Sequence, residues 1–345
     1  MKYKPAVDKT ALEMTIRRAY GFRVHALTRV PHGFVGQHYI AGCENGEQYF
    51  VTLLGDSRAA RLSSASLDFT LALTRRLVDR GLFRPLAAPL YTLAGSLKSA
   101  FQGQTLVIYD AIAGRTLMDA YPYTPGTLAR LARLTATLHR CTGRLEIEIP
   151  VVEQFSLPFE RDLLDGLSDL GKVTSRDRRG KRTLKELLRP QRENILGLLS
   201  HLHQLAETAQ ALRPPMVLCH TDITPLNIIQ TPGDELVLVD WDGAMLAPAE
   251  ADLCLFTGEG FPVFLGEYWR EAGMPHLNGE LLAFYMLRRN LVDLTDWIVT
   301  ILHENRTDEE DQNDLNGVLE DCIPAWSTFD RATGLVRKQL KAIPT

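Results

Sequence analysis

Residues 216–229 read MVLCHTDITPLNII. The apolar run Met216–Cys219 ends in His220-Thr221-Asp222, and Asn227 follows five residues after the Asp, ahead of a second apolar run. Turn chemistry accounts for Thr224-Pro225 but not for the spacing His-x-Asp-x-x-x-x-Asn. Asn227 opens NIIQ, TPGD supplies a turn, and ELVLVD runs back to Asp240. That pattern predicts a strand, a tight turn and a returning strand. In an antiparallel pair, Asn227 and Asp240 come to the same edge, and Asp222 sits just upstream in the loop at that edge. An Asn oxygen and a carboxylate suit a hard cation such as Mg2+. A second carboxylate nearby suits proton removal from an attacking hydroxyl. These are the parts of a phosphoryl-transfer site, where positioning and charge neutralisation dominate catalysis. A structural hairpin with incidental polar ends is the competing explanation.

The rest of the chain sets bounds on that reading. Its 345 residues are enough for two lobes with a sizeable core. Hydrophobic residues make up 45% and charged residues 23%, the balance of a water-soluble globular protein. A formal net charge of -4 gives no reason to expect nucleic acid or an acidic membrane as partner. The N-terminal MKYKPAVDKTALEM has no apolar stretch of signal-peptide type, and no segment approaches the roughly 20 apolar residues of a membrane span. The cysteines at 43, 141, 219, 254 and 322 are scattered, with no C-x-x-C pair. Reduced thiols in a cytoplasmic protein are therefore expected, without a zinc site.

Strands are expected early and helices late. RVHALTRV and HYIAGCENGEQYFVTLL read as strands with Glu44-Asn45-Gly46 as a hairpin turn. Residues 63–80 read as a helix, with Leu67, Leu71, Thr74 and Val78 on one face and Gly81 as the stop. PLAAPLYT and TLVIYDAIAG read as two more strands. Residues 127–141, 157–170, 184–211 and 279–303 are helix-periodic. A boundary near 110–114 divides the chain into an N-terminal lobe, 1–112, and a helical lobe, 113–345. The basic run 172–185 and the acidic run 307–321 read as solvated loops between helices; the basic run lacks the interleaved aromatics of a nucleic-acid surface.

VLCHTDITPLNII followed by LVLVDWDGAMLAPAEADL resembles the catalytic core of the aminoglycoside phosphotransferase and choline kinase family. DWDGAMLAPAEADL, and LLAFYMLRRNLVDLTDW at 281–297, are similar to its spectinomycin phosphotransferase branch. The resemblance is specific over 216–256, traceable over the N-terminal lobe and 279–300, and poor over 145–210. It implies an α+β, two-lobed protein-kinase-like fold and ATP and Mg2+ as cosubstrate and metal. By the same resemblance, Asp222 is the catalytic base and Asn227 and Asp240 are Mg2+ ligands. His220 braces the loop, Asp242 approaches the metal or supports it, Asp252 is structural, and Trp241 packs. LVIYDAIAG resembles the hinge that holds adenine. There Asp110 and Ile112 present backbone groups and Tyr109 forms the back wall. PHGFVGQHY, with Gly33 and Gly36, falls where the family has its nucleotide-covering loop.

One departure stands out. The family's strand Lys, which pairs with nucleotide phosphates, falls on Thr52, and its helix Glu partner falls on Asp68. No Lys lies between Lys9 and Lys98. Three readings follow: Arg58 or Arg61 contacts the phosphates instead, the enzyme works more slowly without that contact, or the chain is a pseudokinase. The expected function is ATP-dependent O-phosphorylation of a small hydroxylated molecule. An aminocyclitol or aminoglycoside antibiotic such as spectinomycin is the leading acceptor, with Asp293 and Asp296 of the late helix attracting a cation or simply facing solvent. Choline, a sugar or another antibiotic is the alternative acceptor.

Overall fold

The computed structural model describes residues 7–30, 36–55, 58–274 and 276–342. The N-terminal part runs α1 (Lys9–Tyr20), β1 (Val24–Val30), β2 (Gln37–Cys43), β3 (Gln48–Leu54), α2 (Arg58–Asp79), β4 (Ser99–Phe101) and β5 (Gln104–Asp110). The strands form one antiparallel sheet in the order β1-β2-β3-β5-β4. Strand β3 shows why both faces of this sheet are covered. Side chains alternate along a strand, so Val51 and Leu53 pack against Leu12 and Ile16 of α1. Leu54 turns the other way, with Val107, onto Leu67 and Leu71 of α2. The Asp8 side chain caps α1 by accepting from the Ala11 N–H at 3.0 Å.

The larger part is mainly helical. It continues with β6 (Arg115–Thr116), α3 (Pro125–Arg140), α4 (Glu160–Lys172), α5 (Arg179–Leu188), α6 (Arg192–Leu212) and β7 (Val217–Cys219). Then come β8 (Ile228–Gln230), β9 (Leu236–Leu238), β10 (Met245–Ala247), α7 (Glu250–Leu253), α8 (Phe261–Ala272), α9 (Gly279–Val299), α10 (Asp308–Gly317) and α11 (Ile323–Ala342). Helix α9 is the axis of this lobe. Leu287, Leu291, Leu294 and Ile298 recur at helical spacing and are buried among residues of α4, α6 and α11. Two short sheets, β6-β8-β9 and β10-β7, carry the loop around Asp222. An N-terminal antiparallel sheet lobe with a larger helical lobe behind it is the protein-kinase-like arrangement. Among the described residues, no helix is long and apolar enough to cross a membrane.

Several expectations need correction. PLAAPLYT is not a strand: Pro85 and Pro89 lack N–H donors, and the segment makes only isolated bridges, Leu86 to Leu238 and Pro89 to Tyr109. The expected helix 184–211 is two helices, parted beside Pro190. The helix expected at 63–80 begins at Arg58, and α1 and β4 were not anticipated. The two charge runs are solvated over most of their residues, as expected, but they are largely helical rather than loops, and they meet. Arg178 forks onto both oxygens of Asp311, at 3.0 and 2.9 Å, with the Asp311 side chain fully buried. Lys181 caps the chain nearby by donating to the Leu302 carbonyl at 2.5 Å. Opposite charges far apart in sequence are here an internal ion pair.

Helix α7 begins with a buried carboxylate. Glu250 is 3% exposed and accepts the Asn278 N–H at 2.6 Å. Burial pushes its carboxyl from an ordinary 4.5 up to about 7, against the lowering effect of that backbone bond and of its own N–H. The folded chain thus binds the proton more tightly than the unfolded one, so stability is fullest below about pH 4.5 and declines as pH rises through 7. Glu250→Gln keeps an acceptor for Asn278 without the charge. It is expected to remove this decline, worth on the order of 3 kcal/mol. Urea unfolding midpoints from pH 5 to 8 check it; parallel curves for both proteins would exclude Glu250 as the source.

Candidate active site

The hairpin forms in the anticipated register. Ile228 pairs with Leu238 and Gln230 with Leu236. One step beyond the ladder, the Val239 N–H donates to the Asn227 carbonyl at 3.0 Å. Asn227 and Asp240 therefore leave the hairpin at one edge. Asp240 has φ 63°, an unusual backbone for a residue other than glycine. Its carboxyl is pushed up to about 6, first by burial and then by the negative charges of Asp242 and Asp222. Three carboxylates thus crowd one place, and a cation there would relieve their repulsion.

Asp222 is held on two sides. Asn227 Nδ2 donates to its Oδ2 at 2.5 Å and to its backbone carbonyl at 3.1 Å. Both bonds use the amide nitrogen, which leaves Asn227 Oδ1 as the acceptor end. From the opposite direction, Arg289 Nη1 on α9 donates to Asp222 Oδ1 at 2.7 Å, while Arg289 Nε donates to Asp293 Oδ2 at 2.9 Å. Burial works against the Arg289 charge, but Asp293 and Asp222 outweigh it and hold the guanidinium firmly protonated.

The loop beneath Asp222 rests on Asp252. This fully buried carboxylate accepts the His220 N–H at 3.0 Å, the Thr221 N–H at 2.5 Å and a contact from His139 Nε2 at 3.0 Å. Thr221 is β-branched with φ 68°, a strained geometry. Its Oγ1 is also tied to the Gly243 carbonyl at 3.0 Å. A Cβ on Gly243 would stand 2.4 Å from that Oγ1, so glycine is required there. His220 Nε2 donates to the Val239 carbonyl at 3.0 Å, and its Nδ1 accepts the Asp222 N–H at 3.3 Å. Those roles need a neutral ring, and burial lowers its pKa. Trp241 packs edge-on against Phe83 and His220. The trio His139, Cys219 and Asp252 brings possible ligand atoms within 4.8 Å. These groups are already engaged, however. His139 Nδ1 meets the Tyr268 hydroxyl at 2.7 Å, and burial raises the Cys219 thiol well above its ordinary value, so it stays protonated. The trio is a brace under the loop.

The other anticipated residues fall as follows. Tyr109 and Asp110 end β5, and Ile112 follows it, with the Ala111 N–H bonded to the Gln48 carbonyl at 3.2 Å. The Tyr109 phenol is pushed upward by burial and then by Asp242 and Asp240, which places the end of β5 within electrostatic reach of the hairpin edge. Gly33 lies outside the described residues. Gly36 has φ 80°, and a Cβ there would stand 2.6 Å from the Leu53 carbonyl, so strand packing alone requires it. Thr52 meets His38 Nδ1 at 3.2 Å. The backbone of Arg58 and Arg61 opens α2, but their side chains lie outside the described residues. Asp68 pairs with Lys98, just ahead of β4.

Sequence reasoning missed Arg289. It sits in MLRRN between two apolar helical repeats, and only packing of α9 against the 220–227 loop reveals its partner. A cavity of about 240 Å³ adjoins it, lined by Met286, Leu287, Trp326 and Phe329 together with Arg289 and Asp293.

This architecture is shared with solved structures of low sequence identity. Spectinomycin phosphotransferase in complex with ADP and spectinomycin superposes with a TM-score of 0.72 at 18% identity, covering 97% of this chain and 99% of that one. An amicoumacin kinase gives 0.61 at 15% identity, covering 98% and 95%. A choline kinase from Streptococcus pneumoniae gives 0.57 at 18% identity, covering 97% and 99%. No curated protein matches the sequence. The sequence itself matches the phosphotransferase enzyme family across residues 26–291, which takes in the sheet, the hairpin and the arginine of α9. The chain belongs to that family of phosphotransferases.

Proposed function

We propose that the chain is an ATP- and Mg2+-dependent O-phosphotransferase acting on a small hydroxylated molecule. The observation that carries this reading is the Asp222 carboxylate, fixed by Asn227 at the crowded hairpin edge and by Arg289, which also lines a cavity. In this reading the acceptor hydroxyl enters from the cavity and its oxygen attacks the γ-phosphorus. A new O–P bond forms, the bond to the bridging oxygen breaks, and ADP departs with the electron pair. The hydroxyl proton passes to Asp222. A carboxylate offers about four lone-pair positions, so the two bonds it already accepts leave room. Asn227 Oδ1 and Asp240 suit Mg2+, which when bound neutralises phosphate charge. Asp110 and Ile112 offer backbone groups to adenine.

The acceptor class has two readings. The likeness of 281–297 and of the fold to spectinomycin phosphotransferase supports an aminocyclitol or aminoglycoside. Against a cationic acceptor stands Asp293, whose carboxylate is bonded to Arg289 rather than open to a ligand. Transfer of radiolabelled γ-phosphate to a panel of hydroxylated antibiotics, amino alcohols, sugars and hydroxy acids tests the proposal. Failure to transfer to any of them or to water, with Mg2+ and ATP present, would leave a pseudokinase.

Metal dependence gives an independent check. Asn227→Ala and Asp240→Ala are each expected to raise the Mg2+ concentration needed for nucleotide binding. Asp240→Ala is expected to have the larger effect because it removes a charge. Titrating Mg2+ at fixed ATP, with nucleotide binding as the readout, measures this. Unchanged Mg2+ dependence in both variants would move the metal elsewhere.

A further inference from the structure

We propose that Arg289 selects the acceptor, and that the acceptor carries an oxygen acceptor group, a carboxylate or a carbonyl, close to the hydroxyl that is phosphorylated, on an apolar body. This inference rests on the phosphotransferase reading above and names the substrate class of the same site.

Arginine has five N–H groups in a planar fork. Nε is bonded to Asp293 and one N–H of Nη1 to Asp222. Among the described residues, Nη2 has no hydrogen-bond partner, although the side chain is only 38% exposed. A half-buried guanidinium with unused donors beside a cavity is a ready partner for a planar oxygen group. The neighbouring polar groups are less open. Asn290 Oδ1 accepts the Trp326 indole N–H at 2.6 Å, and its Nδ2 leans on the Asp321 carbonyl at 3.4 Å. Arg288, one residue away, turns from the cavity to Glu153 at 2.7 Å and lies over the rings of Phe284 and Tyr285.

The location of Arg289 makes it a selector rather than a distant anchor. It touches Asp222 directly, so a group it binds lies within a few atoms of whatever hydroxyl meets that carboxylate. Asp293 fixes the other end of the fork, four residues along the same helix, and so sets its orientation. Met286, Leu287, Trp326 and Phe329 supply an apolar and aromatic wall for the remainder of the molecule. An acceptor with an ammonium group in place of that oxygen would give the unused donors of the guanidinium nothing to bind.

The test uses three acceptors on one aryl-substituted skeleton: a hydroxy carboxylate, its hydroxy amide and the matching amino alcohol. Spectinomycin serves as a fourth. Their kcat/KM values are measured with Mg2+ and ATP for the parent and for Arg289→Gln and Arg289→Lys. The parent is expected to favour the hydroxy acid or hydroxy amide over the amino alcohol by about 10-fold or more, because only they give the unused, half-buried donors a charge-assisted partner. Arg289→Gln is expected to erase that preference, and Arg289→Lys to restore only part of it, since the fork is lost. Because Arg289 also touches Asp222, every rate is expected to fall somewhat in both variants. The ratio between acceptors is the quantity that a purely structural role would leave unchanged. ATP hydrolysis in water alone reports separately whether phosphoryl transfer stands. Equal or better use of the amino alcohol or spectinomycin by the parent overturns the inference. So does rejection of both oxygen-bearing acceptors, or a preference that survives Arg289→Gln.

Discussion

Asp222→Asn is expected to slow phosphoryl transfer by about 100- to 10,000-fold, the usual contribution of a general base, while nucleotide affinity stays close to that of the parent. The substitution is nearly isosteric. An amide oxygen at the same place still accepts from Asn227 Nδ2 or from Arg289 Nη1, so the loop keeps most of its geometry. What it loses is the capacity to take a proton. It also loses one negative charge beside Arg289, whose guanidinium then retains only Asp293 as a carboxylate partner. Single-turnover transfer with a confirmed acceptor separates the chemical step from binding, and equilibrium binding of Mg2+-ATP supplies the control. Turnover near the parent value would remove Asp222 as the base. A large loss in nucleotide affinity would assign it to the metal instead.

The hairpin edge was legible because everything that builds it is local. NIIQ, TPGD and ELVLVD fix strand, turn and strand by alternation and turn chemistry, so the register of Asn227 against Asp240 follows from counting. The sheet order beyond adjacent hairpins is a different matter: β3 pairs with β5 across the whole of α2, and no local pattern announces it. One pair within the charge runs was missed for a related reason. Arg178 and Asp311 look like solvated charges until α5 and α10 are placed side by side. Arg289 is the case that matters most for function. It stands 67 residues from Asp222 in the chain, and helix periodicity reports only which face is buried, not which loop that face meets. Helical periodicity ran 184–211 together, although Pro190 argues for the break, because proline disfavours helix in the residue before it and removes a donor.

Asp252→Ala is expected to destabilise the chain by about 3–5 kcal/mol and to reduce catalysis in whatever remains folded. The size follows from what the side chain holds. It is fully buried and accepts two backbone N–H groups, from His220 and Thr221, as well as meeting His139 Nε2. Removing it leaves those donors facing a dry interior, where each unsatisfied group costs about 1–3 kcal/mol. That total is a large share of the roughly 5–15 kcal/mol by which a folded domain exceeds its unfolded state. The catalytic effect has a separate cause. Thr221, at φ 68°, has its N–H tied to Asp252 and its hydroxyl to Gly243. With the first tie gone the strained residue relaxes, and Asp222, its immediate neighbour, moves with it. Asp252→Asn preserves one good acceptor and is expected to lose about half as much stability. Urea unfolding of the three proteins measures the first effect. Transfer assays at low temperature, corrected for the folded fraction by near-ultraviolet circular dichroism, measure the second. If Asp252→Ala unfolds at the parent's urea concentration, the bonds to His220 and Thr221 are not what holds the loop. If it is unstable yet turns over normally per folded molecule, Thr221 keeps its geometry without Asp252, and the placement of Asp222 must then come from Asn227 and Arg289 alone.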